Sequence, residues 1–205
     1  MPLIRKKSSE VAAEAPREAL FSLASASLDE RWSAARAVGD PSFIPSLAEA
    51  LGRERDARVR EAIFTALARI GTPESAKVVL PYLRLDDAST RTGAMDALRA
   101  MPAACQPYLP ELLADPDPDV RVLSCDLVRE IGAADAAGWL CALIDTEPQV
   151  NVCAAAVEAL GGIADETAAP SLSRCAERFP DEPFLGFAIK VVVDRLRPVS
   201  PAPRG

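Results

Sequence analysis

The chain has 205 residues, 49% hydrophobic and 26% charged, a balance that suits a folded globular protein and excludes a disordered one. Its 23 basic and 30 acidic side chains leave a formal charge of −7, which argues against nucleic acid or an anionic membrane as partner, since both need a basic footprint. Histidine is absent, which removes Ser-His-Asp and Cys-His catalysis and every histidine metal site.

The start, "MPLIRKKSSEVAAEAPRE", carries a basic cluster with no hydrophobic region after it, so it does not read as a secretory signal. Residues 1–17 are expected to be flexible. Residues 18–27 are expected to form a capping helix with Leu20 and Leu23 turned inward. No apolar run reaches the length of a membrane span. The cysteines at 105, 125, 141, 153 and 175 include no close pair, which fits reduced thiols and a cytoplasmic location. Cys125, Cys153 and Cys175 fall among small apolar residues and read as buried hydrophobes. Cys105, near a loop start, is the one to test for exposure.

From residue 28 onward one phrase recurs. "RDARVREAIFTALARIG", "DPDPDVRVLSCDLVREIG" and "EPQVNVCAAAVEALGGIA" share an acidic or Pro-bearing turn followed by a small-residue amphipathic run. Apolar residues closing each copy fall at Val38, Ile70, Met101, Ile131, Ile163 and Leu196, and three before them stand Ala35, Leu67, Leu98, Val128, Leu160 and Val193. Spacings of three and four mark one buried helix face. Each run ends in a break ("GDPS", "GTPE", "PAAC", "GAAD", "ADET") and is followed by a second helical segment. The unit is a helical hairpin, and such a hairpin buries its apolar side only by stacking on its neighbours. The expected fold is an all-α, right-handed solenoid of about five hairpins plus a terminal helix over 18–197, with a Pro-rich tail at 198–205.

These phrases resemble the short HEAT-like repeats of bacterial proteins, the kind shared with phycobilin lyases. The resemblance rests on "DPDPDVR…REIG", "DARVREAIFTALARIGTPESA" and "VCAAAVEALGGIADETAAPSL", and covers about residues 28–197. The third copy departs from it at Thr90 and Pro102, and the fifth has two extra residues near Val150. The resemblance implies a concave face lined by the second helices, on which Glu49, Arg53, Lys77, Arg84, Glu111, Arg174 and Arg178 would lie. It also implies two uses: protein recognition, or a phycobilin-lyase-like role in cofactor attachment. The deoxyhypusine hydroxylases, built of similar repeats, hold di-iron through His-Glu motifs that this chain lacks. DNA glycosylases of similar build need a basic groove, which the charge here opposes.

Arg60, Arg91 and Arg121 recur at one position, with Asn151 as a candidate fourth. They read as partners of the acidic turns containing Asp56, Asp86, Asp87, Asp117 and Asp119 rather than as a ligand stripe. "DPDPD" lacks the spacing and glycine of a calcium loop and reads as a turn and helix start. In "RFPDEPFLGFAIKVVVDRLRP", Ile189, Val192, Val193 and Leu196 form one stripe, while Phe184, Phe187 and Val191 form another. With Phe179, the second stripe is either part of a folded cap, the preferred reading, or an exposed docking patch.

The function expected is a non-catalytic protein–protein scaffold or adaptor, with no cofactor or metal, as monomer or weak homodimer. A bacterial regulatory or signalling setting of the chemotaxis or two-component type is one option. The alternative is a phycobilin-lyase-like enzyme or cofactor-assembly factor. Partner contacts are assigned to Phe179, Phe184, Phe187, Val191, Lys77, Arg84, Glu111, Arg174 and Arg178.

Overall fold

The computed structural model describes residues 22–196. The segments expected at 1–17 and 198–205, and Leu20, lie outside them. Among the described residues every regular element is helical. The chain divides into two compact units, residues 1–105 and 106–205.

In the first unit, α1 (Leu28–Ala37), α3 (Ala57–Ile70) and α5 (Ala88–Arg99) pack side by side. A second row is formed by α2 (Ile44–Arg53), α4 (Pro73–Val79) and α6 (Pro102–Cys105). The second unit repeats the plan. Its first-helix row is α8 (Pro118–Ile131), α10 (Val150–Ile163) and α12 (Pro183–Leu196). Its second row is α7 (Leu109–Leu113), α9 (Ala136–Thr146) and α11 (Ala169–Arg178). The expected capping helix is shorter than 18–27, because helix stops at Leu23, which is buried, and Ser27 is already the N-cap of α1.

Local chemistry sets the element ends. Asp56, Asp87 and Asp117 cap α3, α5 and α8 by accepting backbone N–H groups of the first turn. The "DPDPD" stretch is therefore a turn and a helix start: Asp115 Oδ1 accepts from the Asp117 amide and Asp117 Oδ1 from the Asp119 amide. Gly71 and Gly132 end α3 and α8 with φ of 66° and 67°, a left-handed conformation that costs glycine nothing. Two second-row segments are not single α-helices. Val79 passes into a 3-10 turn, Leu80–Arg84, that contains Pro81, and a 3-10 turn with Pro107 separates α6 from α7. Each proline lacks the N–H that would continue the helical ladder.

Counting from the N-cap aligns the first helices more tightly than the closing apolar residue does. Positions seven and eleven beyond it carry Ala34, Ile63, Ala94, Ser124 and Ala156, then Val38, Leu67, Leu98, Val128 and Leu160, all buried. Position eight carries Ala35, Phe64, Met95, Cys125 and Val157, also buried. Phe64 shows what this column does. Its ring meets the Tyr82 ring edge-on, centroids 5.5 Å apart, and closes on Gly93 of the next first helix. A methyl at Gly93 would stand only 3.0 Å from the Phe64 ring, so the small residue permits the approach.

Leu67→Ala removes a fully buried side chain from the central column of the first unit and is expected to cost about 3 kcal/mol. Leu85→Ala, at a residue 43% exposed, is expected to stay within about 0.5 kcal/mol of the parent. Urea unfolding of both variants checks the contrast.

Candidate functional site

The recurring arginine stands four residues after the N-cap of α1, α3, α5 and α8, and in all four it serves the turn before its own helix. Its Nη1 donates to backbone carbonyls of the turn just before its own helix: Arg31 to Ser25 and Ala26, Arg60 to Arg55, Arg91 to Leu85, Arg121 to Asp115 and Pro116. Arg31 and Arg121 then clamp a carboxylate of the next repeat. Arg31 grips Glu54 through Nε at 2.7 Å and Nη2 at 3.2 Å, and Arg121 grips Glu147 at 2.8 Å through each nitrogen. The far ends of these carboxylates serve the following helix, since Glu54 Oε1 accepts from the Asp56 amide and Glu147 Oε1 from the Gln149 amide. In the second repeat the corresponding acid is replaced by Leu85, and Arg60 turns to the N-cap Asp87 at 3.5 Å. The arginines are structural, as their spacing suggested, but the acids that hold two of them, Glu54 and Glu147, lie outside the turns expected to do so.

Electrostatics follow from this geometry. The Arg31 hydrogen bond holds the Glu54 carboxyl below its ordinary value, against burial. Burial alone would raise Glu147, but the hydrogen bonds from Arg121 and the Gln149 amide, with the charges of Arg121 and Arg178, outweigh it and depress that carboxyl too.

The fifth repeat corrects one expectation. Asn151 is exposed and does not replace the arginine; the position four beyond Gln149 belongs to Cys153, whose thiol donates to the Glu147 carbonyl at 3.5 Å. The missing guanidinium is delivered from α11, where Arg178 donates to the same Glu147 carbonyl and to that of Ile144. Arg174 is likewise engaged, bidentate to Asp145 at 3.0 and 2.8 Å, with Ser171 bridging the pair. Both arginines assigned to partner contacts therefore tie α11 to α9. Lys77, Arg84 and Glu111 are exposed on second-row segments, the first two in one unit and the third in the other. Lys77 borders a shallow groove of about 450 Å³ floored by Ala48, Gly52, Val78, Pro81, Tyr82 and Leu85.

The aromatic stripe of α12 is where the structure departs most from the preferred reading. Leu185, Ile189 and Val192 are buried against the repeat before, with Val193 and Leu196 half-buried. Phe184, Phe187 and Val191 are 87%, 67% and 50% exposed, and are not part of a packed cap. Phe179 is half-buried beneath the Arg178 guanidinium, 5.1 Å from its ring centre. The exposed three stand two, five and nine residues beyond Glu182. In α3 the same positions hold Arg58, Glu61 and Thr65, and in α5 Ser89, Thr92 and Asp96, all exposed. The apolar triad thus occupies the outward face that α3 and α5 fill with polar groups, while α1, α8 and α10 place one apolar side chain there, Trp32, Val122 and Ala154, each half-buried. It is not the stacking face, whose position eight is occupied in α12 by exposed Lys190.

Cys125, Cys153 and Cys175 are buried as expected, and the departure is at Cys105. Cys105 is fully buried, its thiol pushed up to about 11 by burial, and Cys125 is pushed up to about 12. Cys141 is the partly exposed one. Among the described residues no three His, Cys, Asp or Glu side chains converge as metal ligands, and no helix is long and apolar enough to cross a membrane.

Stacked hairpins, paired helix rows and inter-repeat clamps define a helical-repeat protein of the α-solenoid kind. Residues 7–99 and 106–184 match the family model for HEAT repeats, and the chain belongs to that family. Among solved structures it is similar to an engineered protein, at 18% identity over 89% of this chain and 96% of that one, with a TM-score of 0.44. It is also similar to a designed armadillo repeat protein, at 17% identity, 88% and 99% coverage and a TM-score of 0.42. A third likeness is to the complex of CpcE and CpcF of phycocyanin lyase from Nostoc sp. PCC7120, at 15% identity, 96% coverage of each chain and a TM-score of 0.40. No curated protein matches the chain.

Arg121→Ala leaves Glu147 buried without its cation and is expected to cost about 3 kcal/mol. Because Glu54 and Glu147 have depressed folded-state values, the stability they contribute is complete above about pH 4.5 and is lost as pH falls through those values. Glu147→Gln is expected to flatten that acid limb in urea titrations between about pH 2 and 6.

Proposed function

We propose that the protein is a non-catalytic scaffold that docks another protein on the outward face of α12. One observation carries this reading: Phe184, Phe187 and Val191 are exposed together, at i, i+3 and i+7, where α3 and α5 place polar side chains. Two phenyl rings and a valine held on a rigid helix suit an apolar pocket on a partner, and aromatic anchors of this kind dominate binding energy when desolvated. Leaving them in water costs the free chain solubility and contributes nothing to its packing.

The charged residues around them add to the fit. Asp181 and Glu182 precede the helix, and Lys190, Asp194 and Arg195 flank its later turns, so the rim is polar and of mixed sign. HEAT-repeat proteins generally serve as surfaces for other proteins, and their folds are shared by many functions, so the site rather than the fold bears the argument. A bacterial regulatory or signalling complex is the setting to which partner identification would extend this reading.

Phe184→Asp, Phe187→Asp is the test, because neither side chain contributes to the core. The double variant is expected to keep its urea midpoint and to lose a specific protein that the parent retains in a tagged pull-down read by quantitative mass spectrometry. An identical set of retained proteins would reject the α12 face as the docking site.

A further inference from the structure

Aligned on their N-caps, α1 and α3 place Asp29, Trp32 and Arg36 beside Arg58, Glu61 and Thr65 on the outward face of the first unit. The cleft between the two helices is about 460 Å³ and stays open because α3 carries only Ala62 and Ala66 along its floor. The indole of Trp32 gathers the cations. The guanidinium carbons of Arg36, on α1, and Arg58, on α3, each lie over its ring, 4.5 Å from the centre. Arg69 closes one end, its Nη2 donating to the Arg36 carbonyl at 2.8 Å and to that of Val38.

Two like charges held over one ring system repel unless an anion lies near them. The chain itself supplies little of that counter-charge. Arg58 meets Asp29 at 3.5 Å with the two side chains 54% and 82% exposed, a pair that water screens and a ligand displaces easily. Arg36 is exposed and makes no ion pair among the described residues. The lining as a whole sets three arginines against one carboxylate, Glu61. The neighbouring groove, between α3 and α5, is balanced instead, with Glu61 and Asp96 against Arg58 and Arg60.

We propose that the cleft between α1 and α3 binds a phosphate monoester, with Arg36 and Arg58 as its principal donors. A guanidinium over an aromatic ring retains N–H donors for an oxygen acceptor. A monoester carries nearly two negative charges at neutral pH and three acceptor oxygens, enough to bridge two guanidiniums, where a carboxylate brings a single charge. Thr65, exposed on the cleft wall, adds a hydroxyl donor. The net charge of −7 opposes a polyanion such as nucleic acid, so the ligand is compact. A small phosphate ester and a phosphorylated protein side chain are the two sources of such a group. Binding here requires nothing of α12.

Phenyl phosphate and phenyl sulfate are alike in shape and differ by about one charge at about pH 7.5. Each is titrated into the full chain while the indole N–H resonance of Trp32 is followed. Trp139→Phe leaves that resonance as the sole indole signal and so assigns it. Phenyl phosphate is expected to shift it to saturation, and phenyl sulfate to bind about tenfold more weakly. Arg36→Gln and Arg58→Gln, at exposed side chains, are each expected to weaken phenyl phosphate about tenfold or more and to keep the parent's urea midpoint. A serine-phosphorylated peptide that binds more tightly than phenyl phosphate identifies a protein source, while equal or weaker binding identifies a small ester. An unmoved Trp32 resonance with both phosphates overturns the proposal, as does equal binding of phenyl sulfate or binding that both arginine variants retain unchanged. The same peptide with glutamate in place of its phosphorylated serine, bound as well, also overturns it, since a carboxylate then suffices. The parent's own titrations decide even where a variant folds poorly.

Discussion

A guanidinium placed four residues into a helix ties α1, α3 and α8 to the repeat that follows each. Arg31 and Arg121 reach back to carbonyls of their own turn and forward to a carboxylate that in turn caps the next helix. One planar cation thus joins three backbone segments, a task suited to its fixed fork of donors. The buried columns supply the free energy of stacking, and the clamp fixes the register at which they meet. Where the pattern is broken the structure compensates: Arg60 moves to Asp87, and Arg178 crosses from the second row to replace what Cys153 cannot offer.

Most of the architecture was legible in the sequence, because hairpins that stack must repeat their apolar columns. Leu67, Leu98, Val128 and Leu160, picked by spacing alone, are all buried. What escaped was long-range or one-sided. Glu54 and Glu147 sit at the end of the unit before the turn they serve, so a search within the turns passes over them. The two extra residues of the fifth copy hid the alignment of Cys153 with the arginines and pointed to Asn151. Prolines 81, 107 and 110 each fall on the apolar pattern of a helix, which says nothing of where the hydrogen-bond ladder stops.

The candidate site was found as a set of residues and misread as to its side. A helical stripe of Phe184, Phe187 and Val191 is equally consistent with core and surface when α12 is considered alone. Alignment on the N-cap separates the two, because the buried positions then go to Leu185, Ile189 and Val192 and the outward ones to the aromatics.

Lys190 bears on how the array could change in length. Its column carries Ala35, Phe64, Met95, Cys125 and Val157 elsewhere, each covered by what stacks against it. Another hairpin laid on α12 would have to desolvate an ammonium with no counter-ion, a cost of several kcal/mol that exceeds what one well-packed side chain returns. Duplication of a repeat inside either unit meets no such obstacle. Copy number can therefore drift in the interior of the array, while at this edge growth must wait on the replacement of a single residue.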